Sequence, residues 1–184
     1  MRRALHFISS AVEFDEYRLH LKSVTCPHCR AVGHLNRHGY LRGYAERGSE
    51  QVVRGWRIFC SDRGRHRGCD RTHSVLLAEF LRRRSVRAAQ FWKFLAGLLS
   101  GLNMRAAWES VASAACPQYG DRLWKVFVGL QSRLRSLLCR VQPPPSSSGK
   151  NPILQTIDHL RRVFAAADCP VSAFQIHFQR RFIG

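Results

Sequence analysis

Thr25-Cys26-Pro27-His28-Cys29-Arg30, answered further on by Phe59-Cys60 and Gly68-Cys69-Asp70, is the part of this chain whose reading decides its fold. Two thiols two residues apart can share one tight turn whose backbone N–H groups support the sulfurs, which is half of a tetrahedral metal site. Cys60 and Cys69 can supply the other half. Their spacing is irregular, because Ser61-Asp62-Arg63-Gly64-Arg65-His66-Arg67-Gly68 stands between them and would have to bulge out as a charged loop. Two other ligand sets stay open at this point. His66 and Cys69 have knuckle spacing and would leave Cys60 as a buried thiol, and His73 is a third choice. A module without metal is the remaining reading. His28, His34 and His38 read as surface or strand residues, and Cys116, Cys139 and Cys169 as small apolar residues in helical or tail context. With four protein ligands the expected ion is structural Zn²⁺, because no coordination position stays open for activating water.

The rest of the composition frames that site. The chain has 184 residues, room for one domain or two small ones, and 45% apolar content excludes a wholly disordered chain. Lys and Arg number 30 against 12 acidic residues, a formal charge of +18. A field of that sign attracts nucleic acid or an anionic surface. Most of the positive charges are Arg, whose planar fork suits phosphate and guanine edges. Seven Cys is an odd number. The basic Met1-Arg2-Arg3 start meets Glu13, Asp15 and Glu16 before any sufficient apolar run, so no signal peptide is expected. No stretch approaches bilayer-spanning length. The expected location is the cytoplasm, with the nucleoid as anchoring surface, and clustered Cys there favours metal ligation over disulfides.

Read along its length, the sequence predicts an α+β chain: a small N-terminal β zinc ribbon, an all-α three-helix region, and a short helical tail. Residues 1–24 form an N-terminal helical or irregular segment, with Phe14, Tyr17 and Leu21 at helical spacing. In the ribbon, residues 25–75, glycines punctuate strand-forming residues such as Val52, Val53, Trp56, Ile58 and Phe59, giving two or three short strands. The period then becomes helical over 76–142. Ser85 is the expected N-cap of a first helix ending at Gly101, Asn103 caps a second, and a third starts near Pro117. Pro143-Pro144-Pro145-Ser146-Ser147-Ser148-Gly149, within 143–150, reads as a linker. Residues 151–184 are the tail, expected to dock elsewhere or to stay mobile, with Phe174, Phe178 and Phe182 as its apolar stripe.

Four pieces carry a family resemblance: Cys26-Pro-His-Cys29, Arg37-His38-Gly39-Tyr40, Arg57-Ile58-Phe59-Cys60 and Gly68-Cys69-Asp70-Arg71-Thr72-His73-Ser74. Together they resemble the zinc ribbons associated with bacterial insertion-sequence transposases, with Asp70 where glycine is usual and His73 where phenylalanine is usual. The helices that follow resemble the helix-turn-helix that commonly accompanies such ribbons, though only generically. The resemblance implies recognition of double-stranded DNA at mobile-element ends. It does not extend to catalysis. A ribonuclease-H-like domain needs converging carboxylates for two Mg²⁺ ions, and after residue 140 only Asp158 and Asp168 are acidic. The chain is therefore expected not to be an enzyme, and to serve alone or beside a separate catalytic subunit.

The residues expected to meet nucleic acid fall in three groups. Arg37, Arg42, Arg54 and Arg57 lie on the proposed strands, and Arg63, Arg65, Arg67 and Arg71 in or beside the loop of the second Cys pair; phosphate contacts from these give affinity without sequence choice. Arg82-Arg83-Arg84 is a candidate backbone or minor-groove clamp, or else a solvated charge run. Gln118, Arg122 and Lys125, near the start of the third helix, would face the major groove; a plain bundle with solvated charges is the competing reading. Exposed Tyr40, Tyr44 and Trp56 would instead favour RNA or single strands. An adaptor reading would use the Phe174–Phe182 piece to dock a catalytic partner.

Overall fold

The computed structural model describes residues 5–46, 49–64, 67–111, 116–146 and 151–184. Arg65, His66, Gly48 and the end of the Pro/Ser stretch lie outside the described residues.

The first elements are a strand, β1 (Leu5–Ile8), and a helix, α1 (Ala11–Leu19). Ser10 caps α1 by accepting a hydrogen bond from the Glu13 N–H, and the Glu13 carboxylate returns to the Ser9 N–H and hydroxyl, a reciprocal arrangement that satisfies donors the helix start leaves open. Two ten-residue strands, β2 (Leu35–Tyr44) and β3 (Gln51–Cys60), form the long hairpin, and β4 (Thr72–Leu77) follows. The sheet order is β1-β4-β3-β2. β4 and β2 run antiparallel to β3, and β1 runs parallel to β4. The N-terminal segment thus contributes a strand that its sequence does not announce. Four residues carry too little alternation to be read as a strand, and a parallel partner far along the chain leaves no local turn signal.

One face of the sheet is buried. Trp56, Ile58, Val75, Leu77 and Ile8 point into it. α1 covers this face through Phe14, whose ring stacks on Trp56 with centroids 3.6 Å apart and planes 3° off parallel. Alternation along β3 and β4 turns Arg57, Thr72, Ser74 and Leu76 to the opposite, open face.

Five helices follow among the described residues: α2 (Ala88–Leu99), α3 (Met104–Glu109), α4 (Pro117–Leu138), α5 (Pro152–Val163) and α6 (Pro170–Phe178). Asn103 caps α3 and Pro117 opens α4, as the sequence predicts. α2 begins later than expected, with Arg87 as N-cap; the Ser85 N–H is held instead by the Tyr119 hydroxyl. A larger correction concerns the tail. It is not a separate docking piece: Phe174, Phe182 and Ile183 sit in the same core as Phe91, Phe94, Trp108 and Phe127. Helices α2 to α4 alone would leave Phe91 and Phe127 on an open face. The edges of Phe174 and Phe91 meet Phe182 there, and Phe182 stacks on Phe127. The expected three-helix region and tail are one five-helix body. No helix among the described residues is long and apolar enough to cross a membrane.

Sheet and helical body are joined by the 78–87 segment and by two glutamines from the chain's end. Fully buried Gln175 donates to the Ala78 and Phe80 carbonyls and accepts from the Phe182 N–H. Gln179 accepts from the Phe7 N–H and donates to the Phe7 carbonyl.

Candidate metal centre and its basic surroundings

The four sulfurs of Cys26, Cys29, Cys60 and Cys69 lie within 4.8 Å of one another. Cys26 Sγ is 3.8 Å from Cys69 Sγ, and Cys29 Sγ is 3.7 Å from Cys60 Sγ. A tetrahedron of thiolates about 2.3 Å from a central ion has edges of about 3.8 Å. A disulfide would need about 2.05 Å. The set can hold one tetrahedral metal ion.

Both pairs sit on the same kind of turn. The Cys26 N–H donates to the Ala31 carbonyl, two residues beyond Cys29, and the Cys60 N–H donates to the Arg71 carbonyl, two residues beyond Cys69. The residue directly after each second cysteine is left-handed, Arg30 with φ 66° and Asp70 with φ 53°. This symmetry explains the irregular spacing. The Gly68 N–H donates to the Ser61 carbonyl at 2.8 Å, which brings Ser61 and Gly68 together in the turn. What remains at the metal is Cys60-Ser61-Gly68-Cys69, equivalent to Cys26-Pro27-His28-Cys29. Gly68 is required there. A β-carbon on it would lie 2.2 Å from the Ser61 carbonyl oxygen and 2.6 Å from Cys60 Sγ.

The thiols sit in unequal surroundings. Cys26 and Cys60 are fully buried, while Cys29 is exposed. The Ala31 N–H, which favours the thiolate, lowers Cys29 to about 7, whereas burial pushes Cys60 up to about 12 and raises Cys69. Four thiolates this close need a cation among them, and binding one would release the protons that Cys60 and Cys69 otherwise retain.

The alternative ligand His73 is not part of this set. It lies on β4 opposite Ile58, 3% exposed, with Nδ1 buried and without a hydrogen-bond partner. Burial lowers it to about 4, helped by repulsion from His28 and His6. It occupies a core position where an apolar ring would fit. The other alternative, His66, lies outside the described residues.

The expected nucleic-acid residues take several roles. Arg37 and Arg42, on the edge strand β2, flank the exposed Tyr40 ring at 5.5 and 6.0 Å. Arg63, Arg67 and Arg71 are exposed around the second cysteine pair. Gln118, Arg122 and Lys125 are exposed on the first turns of α4, and its opposite side packs on α3, where Gly120 lets the Trp108 ring approach. Arg54 differs from the expectation. The strands slip register so that Leu41 pairs with Gly55 and Arg42 with Val53, leaving Arg54 as a bulge residue. Its guanidinium donates to the Leu81 carbonyl and lies 5.0 Å from the centre of the Phe80 ring. Arg54 is a half-buried strut between hairpin and helical body. Arg42, Arg57 and the Arg82–Arg84 run border one cleft on the open face of the sheet. So does Arg181, which the sequence alone does not single out because the tail reads as separate.

A scan against protein-family models gives no match for this chain, and searches of curated proteins and of solved structures give none either. The class that fold and site define is an α+β protein with a four-cysteine centre able to hold a metal ion.

Proposed function

We propose that this chain is a DNA-binding protein in which a zinc-bound four-cysteine ribbon presents arginines to duplex DNA, similar in role to the recognition part of insertion-sequence transposases and without a catalytic step of its own. The observation that carries the reading is the tetrahedral spacing of the sulfurs beneath a surface of exposed arginines. The ion would tie the segment before β2 to the end of β3, so the charges at that end of the hairpin are held in a set shape. A two-stranded ribbon is narrow enough for the major groove. Arg37 lies along it and Arg63, Arg67 and Arg71 at its metal end, as backbone contacts. In the helical body, α3 and α4 stand as supporting and recognition helices, with Gln118, Arg122 and Lys125 toward the bases.

The test is elemental analysis of the native protein followed by selection of bound fragments from a random duplex library. One zinc per chain and an enriched sequence are expected, with affinity falling steeply with salt. A protein that keeps no zinc, or that enriches nothing, overturns the reading.

Exposed Tyr40 and Tyr44 favour a second reading, contact with unpaired bases; Trp56, stacked under Phe14, takes no part in it. The adaptor reading loses its docking piece, since Phe174 and Phe182 face the helical core.

A further inference from the structure

The open face of the sheet meets the helical body along a cleft of about 580 Å³. Its floor comes from β1 and β4 and is aliphatic and hydroxylic, with Leu5, Leu76, Thr72 and Ser74. Its walls are arginine. Arg42 and Arg57 come from the hairpin, Arg82, Arg83 and Arg84 from the connector, and Arg181 from the chain's end, while the Arg54 strut closes one side. No carboxylate stands among its described lining residues.

Such a wall is costly without an anion. The one acidic side chain of the connector is turned elsewhere: Glu79 is held by Arg87, at 2.8 Å. Arg84 Nε and Arg181 Nε are buried and have no hydrogen-bond partner, so donors are already withdrawn from water on two walls of the cleft. Arg83 adopts φ 57°, a left-handed conformation that an arginine takes only at a cost. These features point to a ligand with several phosphates.

The floor and the size narrow the ligand further. A bare polyphosphate would gain nothing from Leu5 and Leu76, whereas bases and sugars offer apolar faces to them, and Tyr44 at the rim offers a ring for stacking. Ligand pockets of about 300–1,000 Å³ take molecules of nucleotide or dinucleotide size. A duplex cannot enter this one. We infer that the cleft between sheet and helical body binds the sugar–phosphate backbone of a single nucleic-acid strand, separately from the surfaces that meet a duplex. This rests on the nucleic-acid reading above and adds a second kind of ligand, an unpaired strand such as a frayed or processed end.

The test uses the full zinc-loaded chain with a labelled oligothymidine and a labelled duplex, read by fluorescence anisotropy across a salt series. Arg181→Ala should weaken single-strand binding at least about fivefold and lower its salt slope by about 0.7, the value for one phosphate no longer neutralised. Duplex affinity should change less than about threefold. Thr72→Glu, on an exposed position of the cleft floor, gives the same discrimination should Arg181→Ala melt early. Wild-type protein that binds duplex but not the oligothymidine overturns this inference and leaves the duplex reading standing. Wild-type protein that binds the single strand but no duplex does the reverse. Equal losses on both ligands, or none, also overturn the cleft assignment, as does tripolyphosphate competing as well as the oligonucleotide at equal phosphate.

Discussion

If the four cysteines hold zinc, deleting residues 62–67 and joining Ser61 to Gly68 should leave metal binding intact. The Gly68 N–H already meets the Ser61 carbonyl, and a β-carbon on Gly68 would lie 2.8 Å from the Ser61 carbonyl carbon. The two ends are therefore in contact before the join. Shortening the segment between ligands from eight residues to two lowers the closure entropy by (3/2)RT ln 4, about 1 kcal/mol. Adjusting bond angles at the new peptide costs about the same. The balance is near zero, so zinc affinity should change less than about tenfold in a chelator competition, and the thermal midpoint should barely move. The loop holds Arg63, Arg65 and Arg67. If all three neutralise phosphates, the salt slope for duplex binding falls by about 2.7. Loss of zinc from the deletion variant would refute the pinched-turn geometry. Retained zinc with an unchanged slope would refute the role of the loop in binding.

Four other substitutions probe the packing. Gly68→Ala, which drives a methyl into the Ser61 carbonyl and Cys60 Sγ, should abolish zinc retention in elemental analysis where the loop deletion does not. Gln175→Leu leaves two carbonyls and one N–H buried without partners, at about 1–3 kcal/mol each before relaxation, so urea denaturation should show a loss of about 3 kcal/mol. Asp70→Gly relieves a left-handed backbone and should raise stability by about 0.5–1 kcal/mol after the flexibility of glycine in the unfolded chain is counted; a lower melting temperature would contradict it. His73 titrates near 4 in the folded protein and near 6.5 unfolded, so the unfolded chain binds more protons between those values and stability falls as pH drops through them. His73→Phe should remove that component, and the gap in thermal midpoint between variant and wild type should widen from pH 7 to pH 5.

The four-cysteine cluster and the hairpin beside it were legible because their chemistry is local. Two thiols in a tight turn announce themselves by spacing, and strand residues between glycines announce a hairpin. Asn103 and Pro117 marked helix starts for the same reason: a cap or a fixed φ acts within one turn. What escaped the sequence was long-range. β1 is a strand only because β4, far along the chain, lies beside it. The tail looked detached because Pro143–Pro145 separate it and because Phe174, Phe178 and Phe182 name no partner until Phe91 and Phe127 are in place. The left-handed residues after Cys29 and Cys69 carry Arg and Asp, so no glycine flagged them. Arg54 read as one more surface cation because a register slip, invisible in composition, turns it inward.

The two buried glutamines show why the cleft keeps its shape. Sheet and helical body have separate cores, and apolar contact alone would let them slide, since it has no direction. Hydrogen bonds do. Gln179 pairs with both backbone groups of Phe7 on β1, as a neighbouring strand would, and so also blunts the outer edge of the sheet. Gln175 grips the connector at Ala78 and Phe80, immediately before the Arg82–Arg84 run, and Arg54 reaches the same connector at Leu81 from the hairpin side. The connector is thus held from both sides by groups that must stay paired or lose buried partners. Its arginines stand at a set distance from Arg57 on β3, which a charged surface needs before it can favour one polyanion shape over another.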